Sequence, residues 1–285
     1  MYIEKIHDFL PKYENISRER YMNILKWANI LEFDEFKMEK DFLLTLILVR
    51  FWEIFPDLIF KWGTCLNKIY FPYFRLSEDL DFVISQNLWR TARQTLLKKY
   101  EDAIGQELWK LWLTQRDERT KYDEHKIALF TYEYRSVIDS SPQTIKIDIS
   151  LKWELQKIPQ KHTVQSLYRD KILEENIFSH HTITCIDLQE ALAEKIRAAL
   201  TRQTPAIRDF FDIWFIKTFS DFDFAAPEFL RLVEMKLAEV TYSYTIEWIY
   251  DILEKQIQTD LQPVLHREYD FSLREIYEYI LTFKK

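Results

Sequence analysis

FKWGTCL at residues 60–66 is followed by SEDLDF at residues 77–82, and these two segments indicate the fold class more strongly than the rest of the chain. The chain has 285 residues and only two glycines, of which Gly63 is one. It lies between an apolar run at 58–60 and a helix predicted to begin at Thr64. A glycine at such a junction indicates a turn where the backbone approaches another group closely, and a phosphate is the group expected at the start of a helix. The turn is therefore a candidate phosphate site.

The second part of the stretch supplies carboxylates. Asp79 and Asp81 alternate with Leu80 and Phe82, so a strand here places both carboxylates on one face and the apolar side chains on the other. Two carboxylates together with substrate phosphates meet the oxygen ligation that Mg²⁺ requires. A phosphate-binding turn followed by Asp-x-Asp on a strand is how nucleotidyltransferases hold a nucleoside triphosphate (NTP) and its metal ions, and we predict that activity.

A third carboxylate is predicted on a neighbouring strand. In residues 144–150, three isoleucines alternate with polar residues that include Asp148. This alternation would bring Asp148 beside Asp79 and Asp81. There it would either complete a magnesium cluster or orient or deprotonate the attacking hydroxyl, and the sequence leaves both roles open.

The order and spacing of these residues resemble the AbiEii/AbiGii-type toxin family, in the DNA polymerase beta-like nucleotidyltransferase superfamily. In that family a Lys-Gly-Gly-Thr-x-Leu turn precedes an Arg-x-Ser-x-Asp-x-Asp-Phe strand, and here the corresponding blocks begin at Lys61 and Arg75. Residues 188–198 are similar to its Ala-Glu-Lys helix, and 208–212 to its Arg-Asp-x-x-Asp element. One residue differs from the family pattern. Trp62 stands where the family has the first glycine, and its indole narrows the turn.

The resemblance implies that a nucleoside monophosphate passes from an NTP to an acceptor hydroxyl, such as a tRNA 3′ end, with magnesium as cofactor. It also implies the toxin half of a bacterial toxin–antitoxin or phage-defence system, with a cognate antitoxin as partner. The catalytic residues predicted are Asp79, Asp81, Asp148 and Lys195, the first three being the metal ligands. The residues predicted to bind the nucleotide are Gly63, Thr64, Ser77, Lys195, Asp209 and Asp212.

Lys195 lies on a predicted helix whose face is otherwise built of small residues and Arg202. The resemblance implies that this lysine faces the nucleotide and offsets triphosphate charge. A solvated lysine is the alternative, but no acidic residue stands one helical turn away to pair with it. Asp209 and Asp212 are predicted to share one helix face, near Lys195 or near the base and ribose. The alternative is a purely structural role, in which Arg208 and Asp212 form an ion pair within the helix.

Composition limits these interpretations. Hydrophobic residues make up 47% of the chain and aromatic residues 16%, which predicts a well-formed core and excludes a disordered chain. The net charge of −7 excludes binding of nucleic acid by bulk charge, so RNA contacts must be local. Four basic residues within 90–99 are candidates, or form a solvated helix face. The two cysteines form no recognisable metal or disulfide pattern, the N-terminal residues do not resemble a signal peptide, and no apolar run is long enough to cross a membrane. These features predict a cytoplasmic protein.

The predicted fold class is α+β, a nucleotidyltransferase-type mixed sheet flanked by helices with a helical C-terminal region. Helices are predicted at 17–31, 36–54 and 88–105, and strands at 57–61, 79–84, 127–137 and 144–151. A turn at 140–143 joins the last two strands. Residues 1–170 form the predicted nucleotidyltransferase core with its N-terminal helices, and 171–285 a mainly helical domain that completes the active site.

Other classes of function fit the same residues. A phosphotransferase, or a nucleotidyltransferase that modifies a small molecule such as an antibiotic, would use the same carboxylates, and the mass of the product would distinguish them. A catalytically inactive nucleotide-binding module is a further alternative. Trp62 in the phosphate turn is the residue that favours it. Metal-dependent nucleotide binding without turnover would favour that module.

Overall fold

The computed structural model describes residues 1–14, 16–118, 120–124, 126–151, 154–178, 181–240 and 249–284. The chain divides into two compact units, which are Met1–Leu155 with Pro159–Cys185, and Gln156–Ile158 with Ile186–Lys285. Residues 241–248 and 285 of the predicted helical C-terminal region lie outside the described residues. Within the described ranges, no helix has the length and apolar character needed to cross a membrane.

The first unit combines helices with a sheet. Its helices are α1 (Arg18–Ala28), α2 (Glu35–Ile54), the single turn α3 (Trp62–Cys65) and α4 (Arg90–Lys110), and a π-helical turn at Leu66–Tyr70 follows α3. Its strands are β1 (Ile59–Lys61), β2 (Asp79–Val83), β3 (Thr114–Gln115), β4 (Lys121–Tyr122), β5 (Ile127–Arg135), β6 (Pro142–Ser150), β7 (Gln160–Thr163), β8 (Arg169–Asp170), β9 (Glu175–Asn176) and β10 (Thr182–Cys185).

The second unit is helical. Its helices are α5 (Leu188–Thr201), α6 (Ile207–Phe219), α7 (Pro227–Ala238), α8 (Tyr250–Gln256) and α9 (Leu273–Leu281). Helix α5 contacts both α6 and α7, and α6 contacts α9. The Asp187 side chain caps α5 by accepting a 2.9 Å hydrogen bond from the backbone N–H of Gln189.

The main sheet is mixed. Its strand order among the described residues is β3-β5-β6-β2-β1-β10-β7, and β4 also pairs with β5. Strand β2 runs antiparallel to β1 and parallel to β6, while β1 runs parallel to β10. Strands β8 and β9 pair separately. The predicted α+β class, with a mixed sheet flanked by helices, is confirmed.

The four predicted strands correspond to β1, β2, β5 and β6, and the turn between β5 and β6 makes the expected hairpin. Ser140 in that turn has a φ of 66°, the left-handed conformation that turns favour. The sequence did not predict β3, β4 or β7 to β10, each of which has four residues or fewer. Strand β1 is as short, but the apolar run before Gly63 indicated it. Since β10 pairs with β1, the first unit continues to residue 185, whereas the sequence placed the boundary at 170.

Helix α2 is the central helix of the first unit. Its residues Phe42, Leu43, Ile47 and Leu48 are each at most 1% exposed, so apolar side chains are buried around the whole helix. The helix contacts β2 and β10. It therefore supports the part of the sheet on which the candidate catalytic residues lie.

Candidate active site

The three central strands bring charged residues into one row. Lys61 on β1 lies opposite Asp81 on β2, and Asp81 lies opposite Asp148 on β6. Residues opposite one another on paired strands point to the same face of a sheet. Asp79 lies two residues from Asp81 and therefore shares this face. The structure thus brings together the three carboxylates that the sequence predicted, and adds a lysine to them.

Asp79 and Asp81 are the first two of the predicted metal ligands. Both residues are half-buried, while Leu80 and Phe82 between and after them are buried at 0% and 3% exposure. One or two carboxylates with substrate phosphates are the usual protein ligands of Mg²⁺. Among the described residues, no group of three or more His, Cys, Asp and Glu side chains is arranged to hold a metal ion. The cluster that includes Asp148 stays a prediction.

Side-chain hydroxyls connect the turn at Gly63 and Thr64 to strand β2. Thr64 Oγ1 lies 2.8 Å from Ser77 Oγ and also hydrogen-bonds the backbone carbonyl of Asp79. Thr64 is fully buried and Ser77 is 9% exposed. These contacts fix the turn against the first carboxylate of the pair, so the predicted nucleotide-binding residues Gly63, Thr64 and Ser77 are neighbours in space.

Position 63 requires glycine because another group lies close to its Cα atom. That group is a side chain of the protein itself. A Cβ atom at Gly63 would lie 2.8 Å from the Nη2 atom of Arg75 and 3.2 Å from Ser77 Oγ. Arg75 is 2% exposed and donates from Nη1 to the backbone carbonyl of Leu76 at 2.9 Å. The sequence interpretation expected a phosphate at this glycine, and the structure places a buried guanidinium there.

Trp62 has a backbone conformation that favours glycine. Its φ is 62°, in the left-handed region that costs a bulky residue about 1–2 kcal/mol. Its indole centroid lies 4.0 Å from the Nζ atom of Lys61. That atom is also 3.7 Å from Asp148 Oδ1, and the Lys61 side chain is 3% exposed. Lys61 thus lies buried between an aromatic face and a carboxylate.

Sequence reasoning assigned no role to Lys61 or Arg75, although both belong to the quoted motif blocks. One signal for Lys61 was available, because a charged residue ends an apolar strand and stands three residues before the predicted helix start. Its pairing with Asp148 depends on strand register, which the sequence did not give.

Lys68 anchors the helical turn that follows the site. Its Nζ atom lies 2.8 Å from Asp41 Oδ1 on α2, and both side chains are at most 1% exposed. Tyr168 donates to Asp41 Oδ2 at 3.0 Å. Burial lowers the pKa of Lys68, and the opposing effect of Asp41 offsets this only in part. The pair fixes the end of the α3 segment against the central helix.

The second unit holds the other predicted cluster. Lys195 on α5 lies 2.6 Å from Asp209 Oδ1 and 2.8 Å from Asp212 Oδ2, both on α6. Asp209 also contacts Arg202 at 3.0 Å. Lys195 is 7% exposed, so it is not a solvated lysine, and its partners lie on the next helix. The sequence correctly placed Asp209 and Asp212 near Lys195, and Asp212 binds that lysine.

The opposite side of α5 carries a second buried network. Lys236 on α7 lies 2.7 Å from Glu190 and 3.1 Å from Glu194, and all three side chains are at most 4% exposed. Burial acts to lower the pKa of Lys236, but the two glutamates outweigh it and the pKa is raised. Glu194, the glutamate of the Ala-Glu-Lys motif, therefore joins α5 to α7, whereas Lys195 joins α5 to α6.

The basic residues of α4 are partly neutralised. Lys98 lies 2.8 Å from Asp102 and 3.6 Å from Glu101, and Arg93 lies 3.9 Å from Glu124. This pairing favours the solvated helix face over a free basic patch, because the charges are already balanced locally.

A known crystal structure shares this fold. The crystal structure of JHP933 from Helicobacter pylori is 18% identical in sequence with a TM-score of 0.50, over 88% of this chain and 91% of that chain. A second crystal structure from H. pylori, described as a proposed nucleotidyltransferase, is 16% identical with a TM-score of 0.43, over 93% of this chain and 91% of that chain. No curated protein matches the sequence. Residues 47–282 match the family described as nucleotidyl transferase AbiEii toxin, type IV toxin–antitoxin system, and the chain therefore belongs to this family of nucleotidyltransferases.

Proposed function

We propose that the chain is the toxin of a toxin–antitoxin pair and that it uses Mg²⁺ to transfer a nucleoside monophosphate from an NTP to a hydroxyl at a tRNA 3′ end. Family membership supports nucleotidyl transfer and an antitoxin partner. The observation that carries the proposal is the row of charges at the sheet centre, with Asp79 and Asp81 half-buried on one face and Asp148 beside them.

Each carboxylate has a role in this reaction. Asp79 and Asp81 would hold the divalent cation, which supplies charge neutralisation to the triphosphate. Asp148 accepts the proton of the acceptor hydroxyl as its oxygen attacks the α-phosphorus. The bond between that phosphorus and the oxygen leading to the β-phosphate breaks, and pyrophosphate leaves. The products are the nucleotidylated acceptor, pyrophosphate and a proton.

The turn at Gly63 and Thr64 acts by positioning. The Thr64 hydroxyl is engaged with Ser77 and the Asp79 carbonyl, so it aligns the turn with the metal-binding strand. The backbone N–H groups of the turn then donate to phosphate oxygens. The assignment of nucleotide contacts to Lys195, Asp209 and Asp212 rests on the family resemblance and stays a prediction.

The acceptor is selected by shape and local contacts. A net charge of −7 gives the chain little general attraction for nucleic acid, and the basic residues of α4 at 93 and 98 are paired with carboxylates. Such a chain suits recognition of one end of a particular RNA better than binding along a duplex.

The test combines labelled nucleotides with expression in a bacterium. Wild type and Asp81→Asn are incubated with each labelled NTP, Mg²⁺ and total RNA, and the label is traced to an RNA 3′ end, to a small molecule or to neither. The same pair is then expressed without an antitoxin, and growth is compared. We expect label on tRNA and growth arrest with wild type only.

Two results would contradict the proposal. Label on a small molecule would favour the antibiotic-type alternative, and transfer of a phosphoryl group would show as a product of different mass. Equal growth of the two strains would exclude a toxin that acts through this site.

A further inference from the structure

The charge balance of the sheet site differs from that of a three-carboxylate metal centre. Asp79, Asp81 and Asp148 carry three negative charges on this face. Against them stand two ammonium groups, that of Lys61, 3.7 Å from Asp148 Oδ1, and that of Lys146, whose residue lies opposite Asp79 in the sheet. The net charge of these five residues is therefore −1. One divalent cation already outweighs that charge, and a second one near Asp148 would stand next to a fixed ammonium and be repelled by it.

The Lys61 ammonium is held in place. Its side chain is 3% exposed, although a lysine at the end of a strand would ordinarily extend its amine to water. The Trp62 indole covers it at 4.0 Å, within the range of a cation–π contact. The two residues are consecutive, so the backbone of Trp62 determines where the indole can lie.

Trp62 keeps this position at a cost. A φ of 62° is strained for a bulky residue, and such strain persists where the surrounding structure imposes it and is often found at functional sites. Glycine would adopt the same backbone freely but could not cover the lysine. The tryptophan therefore supplies a contact that the glycine of the family motif cannot.

We propose that the Lys61 ammonium, covered by Trp62, takes the place of a second metal ion beside Asp148, so that this site binds one divalent cation, at Asp79 and Asp81. The inference rests on the proposed function, since it specifies how that reaction is served by a single ion. Asp148 is then a partner of Lys61 and of the acceptor hydroxyl, and is not a metal ligand.

The experiment counts bound Mn²⁺ without nucleotide, from the loss of the free-ion electron paramagnetic resonance signal on titration of the full chain. We expect one ion per chain for wild type and none for Asp79→Asn. Lys61→Met, which keeps the length of the side chain without its charge, should bind two. Lys61→Met combined with Asp148→Asn should return to one ion with an affinity within about threefold of wild type, because the charge around Asp79 and Asp81 is then the same.

Several outcomes would overturn the inference. These are two ions or none in wild type, a single ion in a folded Lys61→Met, or loss of the ion in the double variant, which would make Asp148 a ligand. Thermal melting monitors folding, and if Lys61→Met does not fold, the charge-matched double variant decides. The count needs no turnover, so a chain that binds one ion but transfers no nucleotide contradicts the proposed function alone.

Discussion

Two buried lysines, one in each unit, are held in different ways. Lys195 lies within 2.8 Å of carboxylate oxygens from two aspartates on α6. Lys61 lies 3.7 Å from one aspartate that is itself 22% exposed, and its other neighbour is an indole ring. The first arrangement is a closed ion-pair network that joins two helices, and the second leaves a carboxylate row open to solvent.

The difference teaches where charge is available for chemistry. A buried ion-pair network in which every partner is paired holds helices together. Removing its lysine lowers the free energy of unfolding strongly, because the carboxylates stay buried. A part-exposed carboxylate that lies 3.7 Å from its lysine can exchange that contact for one with a substrate group. Substitutions in the two networks should therefore have different effects.

The open carboxylate row should be the most sensitive to change in activity. We expect Asp79→Asn to slow nucleotidyl transfer by about 10³-fold or more, since it removes a proposed metal ligand while the fold remains intact. Turnover with labelled NTP measures this, and circular dichroism reports folding. The matched control is Glu78→Gln, next in the chain, whose carboxylate contacts Lys37 at 2.9 Å. Similar activity of Asp79→Asn and the control would remove Asp79 from the site.

The same substitution at both lysines compares the two networks directly. Lys195→Met should lower the free energy of unfolding by about 3–5 kcal/mol, because the two buried aspartates lose the ammonium that they share, although Arg202 still contacts Asp209. Lys61→Met should cost about 1 kcal/mol or less, since Asp148 stays hydrated. Urea unfolding gives both values.

A surface lysine controls for general effects of removing charge. Lys217 is exposed on α6, and Lys217→Met should change stability by less than about 0.5 kcal/mol. If Lys61→Met proves as destabilising as Lys195→Met, then Lys61 belongs to a closed structural network and the contrast fails.

The backbone that follows Lys61 should be tightly packed. Gly63→Ala would place a Cβ atom 2.8 Å from the buried Arg75 guanidinium, and we expect a loss of about 1–3 kcal/mol of stability from overpacking. Thermal melting measures the loss. A melting temperature equal to wild type would mean that Arg75 can move away, and that the turn is not fixed.

The chain's second glycine provides the opposite result. Gly105 lies within α4, and a Cβ atom there would meet only the Tyr132 hydroxyl at 3.8 Å, an ordinary contact. Gly105→Ala should therefore raise stability by about 0.5–1 kcal/mol through helix propensity. Its melting temperature should lie above wild type, whereas that of Gly63→Ala should lie below.

The sequence predicted the parts that repeat or alternate. Strands β2 and β6 followed from alternating residues, and the turn at Gly63 from the scarcity of glycine. The partners of Lys195 were foreseen only as near neighbours, because they lie on another helix. Arg75 gave no sign that it would be buried at 2% exposure, since a guanidinium is ordinarily exposed. Such contacts depend on tertiary packing and not on local pattern.

The pairing of β1 with β10 has a consequence for how the protein is made. Phe60 lies opposite Cys185, so the strand that ends in Lys61 gains its second neighbour only when residues far along the chain have been synthesised. Until then one edge of β1 presents unpaired backbone groups, which is a hazard for association with other chains. Long-range pairing of this kind also slows folding. The main sheet is therefore expected to close after translation has passed β10, so a ribosome-bound fragment ending before residue 182 should lack the pairing that completes β1.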